Sequence, residues 1–84
     1  EMDGTLFADG FDAAVIGVDF NHSVPRVVYS VPAMAEILMK RDGMDYFEAV
    51  EFIQYNVISA HLGDGTPIYI EPMSHSDALE QLTY

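Results

Sequence analysis

The chain has 84 residues, half of them hydrophobic, with 14 Asp and Glu against 3 Lys and Arg and a formal net charge of -11. A chain this apolar is not a disordered acidic tail, and its charge excludes direct binding to nucleic acid or to anionic membrane, leaving basic surfaces as the natural partners. Without cysteine no disulfide or thiolate metal site can form. No apolar run approaches the ~20 residues of a membrane span. No basic segment followed by an apolar stretch opens the chain, so no signal peptide is expected. The acids are scattered rather than run together, which fits a folded domain with a negative surface. One domain with one modest core is expected at this length.

In chain order, residues 1–11 read as an extended arm pinned by Leu6, Phe7 and Phe11. Residues 13–20 form an apolar, β-rich run, and 27–29 a second strand after a hairpin-length loop. A helix over 31–41 follows. Ser30 is its cap, Pro32 suits its first turn, Met34, Ile37 and Leu38 share a face, Lys40 and Arg41 suit the last turn, and Gly43 stops it. A second helix spans 46–62, with Asp45 and Glu48 as an Asp-type capping box. Its inner stripe is Tyr46, Ala49, Val50, Ile53, Val57 and Ala60. After Gly63 and a turn at 64–67, residues 68–71 read as a third strand, ended by Pro72. Ser76 caps a short final helix with Leu79 and Leu82 inward.

The expected fold is α+β, a two-layer ββααβ domain with a three-stranded antiparallel sheet packed by two helices. Residues 12–72 form its core region and 73–84 a tail or short helix. The apolar run at 14–20 suits a central strand, which places the third strand beside the first. The expected core is Ile16, Val18, Val28, Met34, Ile37, Leu38, Val50, Ile53, Val57 and Ile70.

Catalytic signals are missing. Residues 1–6 (E-M-D-G-T-L) resemble the first motif of haloacid-dehalogenase-like phosphatases, Asp-x-Asp-Gly-Thr. Glu1 stands at the nucleophile position, no strand precedes it, and the chain is too short for that fold, so the match is read as chance. His22, His61 and His75 are too far apart for two imidazoles to share a helix face, and the aspartates between Asp3 and Asp12 lack EF-hand spacing. No serine sits in a nucleophile-elbow context. The expectation is a protein without enzymatic activity, cofactor or metal.

The surface is more informative. Glu48, Glu51, Tyr55 and Ser59 follow at helical steps opposite the core stripe, with Asp45 at their start and Gln54 alongside. Asp42 precedes this stripe and Asp64 follows it. Carboxylates so spaced lie about 5–6 Å apart, a separation similar to that of phosphates along one strand of a duplex. The chain's only cations are Arg26, Lys40 and Arg41. An ordinary solvated helix face is the competing reading, although like charges at such steps cost a few tenths of a kcal/mol each.

The segment 37–68, with R-D-G-M at 41–44, E-A-V-E at 48–51, N-V at 56–57 and G-T-P-I at 65–68, resembles a family of small proteins encoded by bacteriophages and some bacteria. The upstream D-A-A-V-I-G-V at 12–18 and V-V-Y at 27–29 extend the likeness to residues 12–70. By type, a small acidic protein of this kind resembles anti-CRISPR and other anti-defence inhibitors. The resemblance implies an inhibitor in the host cytoplasm, a candidate DNA mimic, whose partner is a basic, nucleic-acid-binding surface of a host defence complex. Asp42, Asp45, Glu48, Glu51 and Asp64 would meet its cations, and Tyr55 would supply an aromatic anchor. The alternative is a small interaction module or homodimer without mimicry, joined through Phe47, Phe52 and Ile58. A small hydrolase is the least supported reading.

Overall fold

A computed structural model describes residues 4–60 and 63–82. A 3-10 turn (Asp12–Ala14) leads into strand β1 (Val15–Asp19), followed by β2 (Arg26–Ser30) and helix α1 (Val31–Asp42). Helix α2 (Tyr46–Ile53) runs straight into a π-helical turn (Gln54–Ile58), and β3 (Ile68–Ile70) and helix α3 (His75–Leu82) complete the chain. The class is α+β, and the described residues hold a three-stranded sheet and three helices, the third being the short final helix expected after Pro72. The expected ββααβ order, with its short final helix, is matched only roughly, because a 3-10 turn and a π turn are added to it.

The sheet corrects the expected topology. Its order is β1-β2-β3, so β2 is central. β1 pairs with it antiparallel and β3 pairs with it parallel, making the sheet mixed. The reason lies in the connections. A short loop joins β1 to β2 and reverses the chain, whereas two helices intervene before β3, and a crossover of that length returns a strand in the same direction. The apolar character of β1 does not make it central. Its register shifts between Val15 and Gly17, and Ile16, in that irregularity, stays 52% exposed.

Side-chain alternation in β2 sets the core. Val27 and Tyr29 are buried, and Tyr69 of β3 stacks on Tyr29 with ring centroids 5.8 Å apart. Val28, between them, lies on the alternate face with its partners Gly17 and Ile68. Of the expected core, Met34, Leu38 and Ile53 are fully buried, and Ile37, Val50 and Val57 pack against them at partial burial. Val18 and Val28 are half-buried. Ile16 and Ile70 are exposed, a correction: neither lies on the buried side of a sheet whose tight packing is confined to one face. Phe11, Ala14, Tyr29, Ala35 and Ala49 complete the core instead. Ala35 and Ala49 have no exposed surface, and their small side chains let α1 and α2 pack along each other.

Local signals explain the helix ends. The Ser30 hydroxyl accepts a hydrogen bond from the Ala33 N–H at 3.3 Å, and Gly43 ends α1 at φ 71°, a conformation that favours glycine. In α3 the cap is Ser74 rather than Ser76, since the Ser74 hydroxyl accepts from the Asp77 N–H at 3.1 Å. Leu79 and Leu82, expected inward, are both mostly exposed.

The arm is tied to the body. The Leu6 N–H donates to the Gly65 carbonyl at 3.1 Å, and the Thr5 hydroxyl donates to the Pro25 carbonyl at 2.8 Å. The Ala8 N–H donates to the Tyr29 hydroxyl at 2.8 Å. Phe11 is the apolar anchor, with the Arg41 guanidinium 5.8 Å from its ring centroid. Leu6 is half-buried, whereas Phe7 is exposed at the mouth of a cavity under the arm. Gly65 is required at the junction, because a Cβ there would run into the Gly4 carbonyl and Thr5 Cα.

Candidate protein-binding face

Helix α2 carries the candidate face, and its start is fixed by side chains. The Asp45 carboxylate accepts from the Glu48 N–H at 2.8 Å, while the Glu48 carboxylate accepts from the Asp45 N–H at 3.0 Å. This reciprocal box satisfies two N–H groups that the helix leaves open, and it puts two negative charges at the positive end of the helix dipole. Ala49 and Ile53 bury the inner side, so Glu48, Glu51 and Tyr55 are turned to solvent.

The π turn widens the helix where Tyr55 stands. Such a turn loosens the backbone ladder, and two side chains serve its carbonyls. Asn56 Nδ2 donates to the Phe52 carbonyl at 3.2 Å, and the Ser59 hydroxyl donates to the Tyr55 carbonyl at 2.7 Å. The π turn is capped at Ser59, and the expected end of the helix at 61–62 lies outside the described residues.

Aromatic rings flank the acids. Phe47 is 83% exposed and Tyr55 71%, and Tyr46, expected in the core stripe, is exposed as well. The Tyr46 and Phe47 rings meet edge to face, with centroids 6.0 Å apart at 77°. Phe47, Glu51 and Tyr55 lie four residues apart and form one ridge along the helix. Two shallow depressions border it. One is lined by Met44, Glu48 and Phe52, the other by Tyr46, Phe47 and Val50, and both share Glu51 and Tyr55.

The six residues singled out from the sequence therefore divide. Asp45, Glu48, Glu51 and Tyr55 share α2 and its cap, with Asp45 and Glu48 also engaged in the box. Asp42 is neutralised locally: Arg41 grips both its oxygens at 3.1 Å, which holds the carboxyl below its ordinary range and lifts the guanidinium above its own. Asp64 lies elsewhere, beside a depression lined by His22, Ser23 and Arg26. There His22 Nδ1 is 3.2 Å from an Asp19 carboxylate oxygen, and Arg26 Nε donates to the Thr66 carbonyl at 2.6 Å. The sequence reading placed Tyr46 in the core stripe and gave Phe47 to a separate apolar surface with Phe52 and Ile58, rather than joining both rings to the acidic stripe. The four-residue spacing of Phe47, Glu51 and Tyr55 is the signal that could have found the ridge.

Other sites are poorly furnished. An apolar cavity of about 200 Å³ lies under the arm, lined by Leu6, Phe11, Val57, Pro67 and Tyr69. Typical small-molecule sites occupy roughly 300–1,000 Å³. Burial there, with Tyr29 adding to it, pushes the Tyr69 hydroxyl above its ordinary pKa. Among the described residues no group of three or more His, Cys, Asp or Glu could hold a metal, and no helix is long and apolar enough to cross a membrane. The phosphatase-like stretch begins at Glu1, Met2 and Asp3, which with His61 lie outside the described residues. Comparisons with protein-family models, with curated proteins and with solved structures give no match.

Proposed function

We propose that this protein is a non-enzymatic inhibitor of phage type that acts in the host cytoplasm, using the outer face of α2 to occupy a basic protein surface that otherwise holds nucleic acid. The observation carrying this reading is the pairing of exposed aromatic rings with acids of α2 that form no ion pair among the described residues. The Glu51 carboxylate has no hydrogen-bonding or ionic partner among the described residues, and Phe47 and Tyr55 beside it are largely open to solvent. Arg41 is engaged by Asp42 and Arg26 by the Thr66 carbonyl. Exposed aromatics supply the desolvating anchors of an interface, and the acids supply steering toward a positive partner.

The homodimer alternative draws less support. Of the three apolar residues it needs, Phe47 and Phe52 are exposed, but Ile58 packs against the core. Two copies of an acidic face also repel each other.

Capture from host lysate with the intact protein tests the proposal. The wild type should retain a basic partner at low salt and release it as salt rises or short duplex DNA is added. Glu51→Lys should weaken the complex about tenfold or more, since like-charge contacts at an interface cost several kcal/mol. Unchanged retention by Glu51→Lys, with no competition by DNA, would refute it.

A further inference from the structure

We infer that the group recognised on this face is arginine, held with its guanidinium stacked on Tyr55 or Phe47 and its N–H groups directed to Glu51. The inference rests on the proposed function and goes beyond it by naming the chemistry of the partner. Three features of α2 converge on it. Glu51 and Tyr55 form the wall common to both depressions, so each depression offers a carboxylate beside an aromatic face. Phe47 meets Tyr46 edge to face, which leaves most of its own ring open at 83% exposure. Glu48 borders one depression with one carboxylate oxygen fixed by the Asp45 N–H, so that acid is already oriented before a partner arrives.

A planar guanidinium fits such a surface better than an ammonium. It stacks on an aromatic ring through its flat face and still directs paired N–H groups to a carboxylate in the same plane. It is also less strongly hydrated than the lysine ammonium and loses less on leaving water. A purely electrostatic face would accept either cation. Net charge supplies the attraction over distance, and the aromatic walls supply the preference between the two cations.

The test uses the intact protein and two fluorescently labelled peptides, oligoarginine and oligolysine of equal length, with fluorescence anisotropy as readout. Oligoarginine should bind roughly threefold to tenfold more tightly. Glu51→Gln should weaken both peptides. Phe47→Leu combined with Tyr55→Leu should bring the two affinities together by removing the stacking surfaces, with circular dichroism confirming that the variants fold. Glu80→Gln, on α3, should change neither. Equal affinities in the wild type, with Glu51→Gln weakening both, would overturn arginine recognition and leave the basic-surface reading standing. Equal losses in Glu51→Gln and Glu80→Gln, or no binding of either peptide, would overturn both readings for this face.

Discussion

Reversing Glu48 to Lys separates the structural work of the acidic face from any work in binding. At N3 of α2 the Glu48 carboxylate accepts a 3.0 Å hydrogen bond from the Asp45 N–H. Losing an exposed bond of this kind costs about 0.5–1 kcal/mol. A cation at the helix N-terminus replaces a favourable dipole interaction of about 0.3–1 kcal/mol with an unfavourable one. Relief of the Glu48–Glu51 repulsion returns about 0.2–0.5 kcal/mol. The net loss is about 1–2 kcal/mol, or about 4–16 °C in melting temperature for a domain this small. Thermal unfolding followed by circular dichroism measures it. Glu51→Lys, one helical turn on and outside the cap, should melt within a few degrees of wild type. Glu48→Gln keeps an acceptor at N3 and should fall between the two. If Glu48→Lys and Glu51→Lys melt together, the capping box contributes no stability and the reasoning fails. A binding defect in Glu51→Lys is thus the cleaner sign of an interface.

Three further outcomes follow from the packing. Ile53→Ala, at a fully buried site, should destabilise by about 2–5 kcal/mol in denaturant titration. Gly65→Ala should lower stability and speed proteolysis within residues 4–11, because the added Cβ displaces the Gly4 carbonyl and strains the Leu6 N–H bond to Gly65. The raised pKa of Tyr69 means that the folded state holds this proton more tightly than the unfolded state does. Its contribution is full below the ordinary value of 10.0 and is lost as pH rises through the folded value, so stability should drop on alkaline titration and Tyr69→Phe should flatten that drop.

The sequence by itself determined what depends on neighbours along the chain. Ser30, Gly43 and the Asp45–Glu48 box mark helix ends because a cap is chemistry between residues a turn apart. The outward set of Glu48, Glu51 and Tyr55 was legible because helical periodicity puts them opposite Ala49 and Ile53. The tertiary structure decided what depends on distant partners. The apolar run at 14–20 could not say which strand is central, since hydrophobicity reports burial and not pairing. The helical crossover made β3 parallel to β2, and the register shift in β1 exposed Ile16. Asp64 followed the stripe in the chain, yet folding sets it beside a separate depression lined by His22, Ser23 and Arg26, while Asp42 is neutralised by its own neighbour Arg41. Tyr46, expected in the inner stripe, is exposed because it opens α2 ahead of the buried Ala49. Capping and periodicity are short-range physics and were readable from the chain, whereas strand order and the surroundings of Asp64 required the chain to fold back on itself.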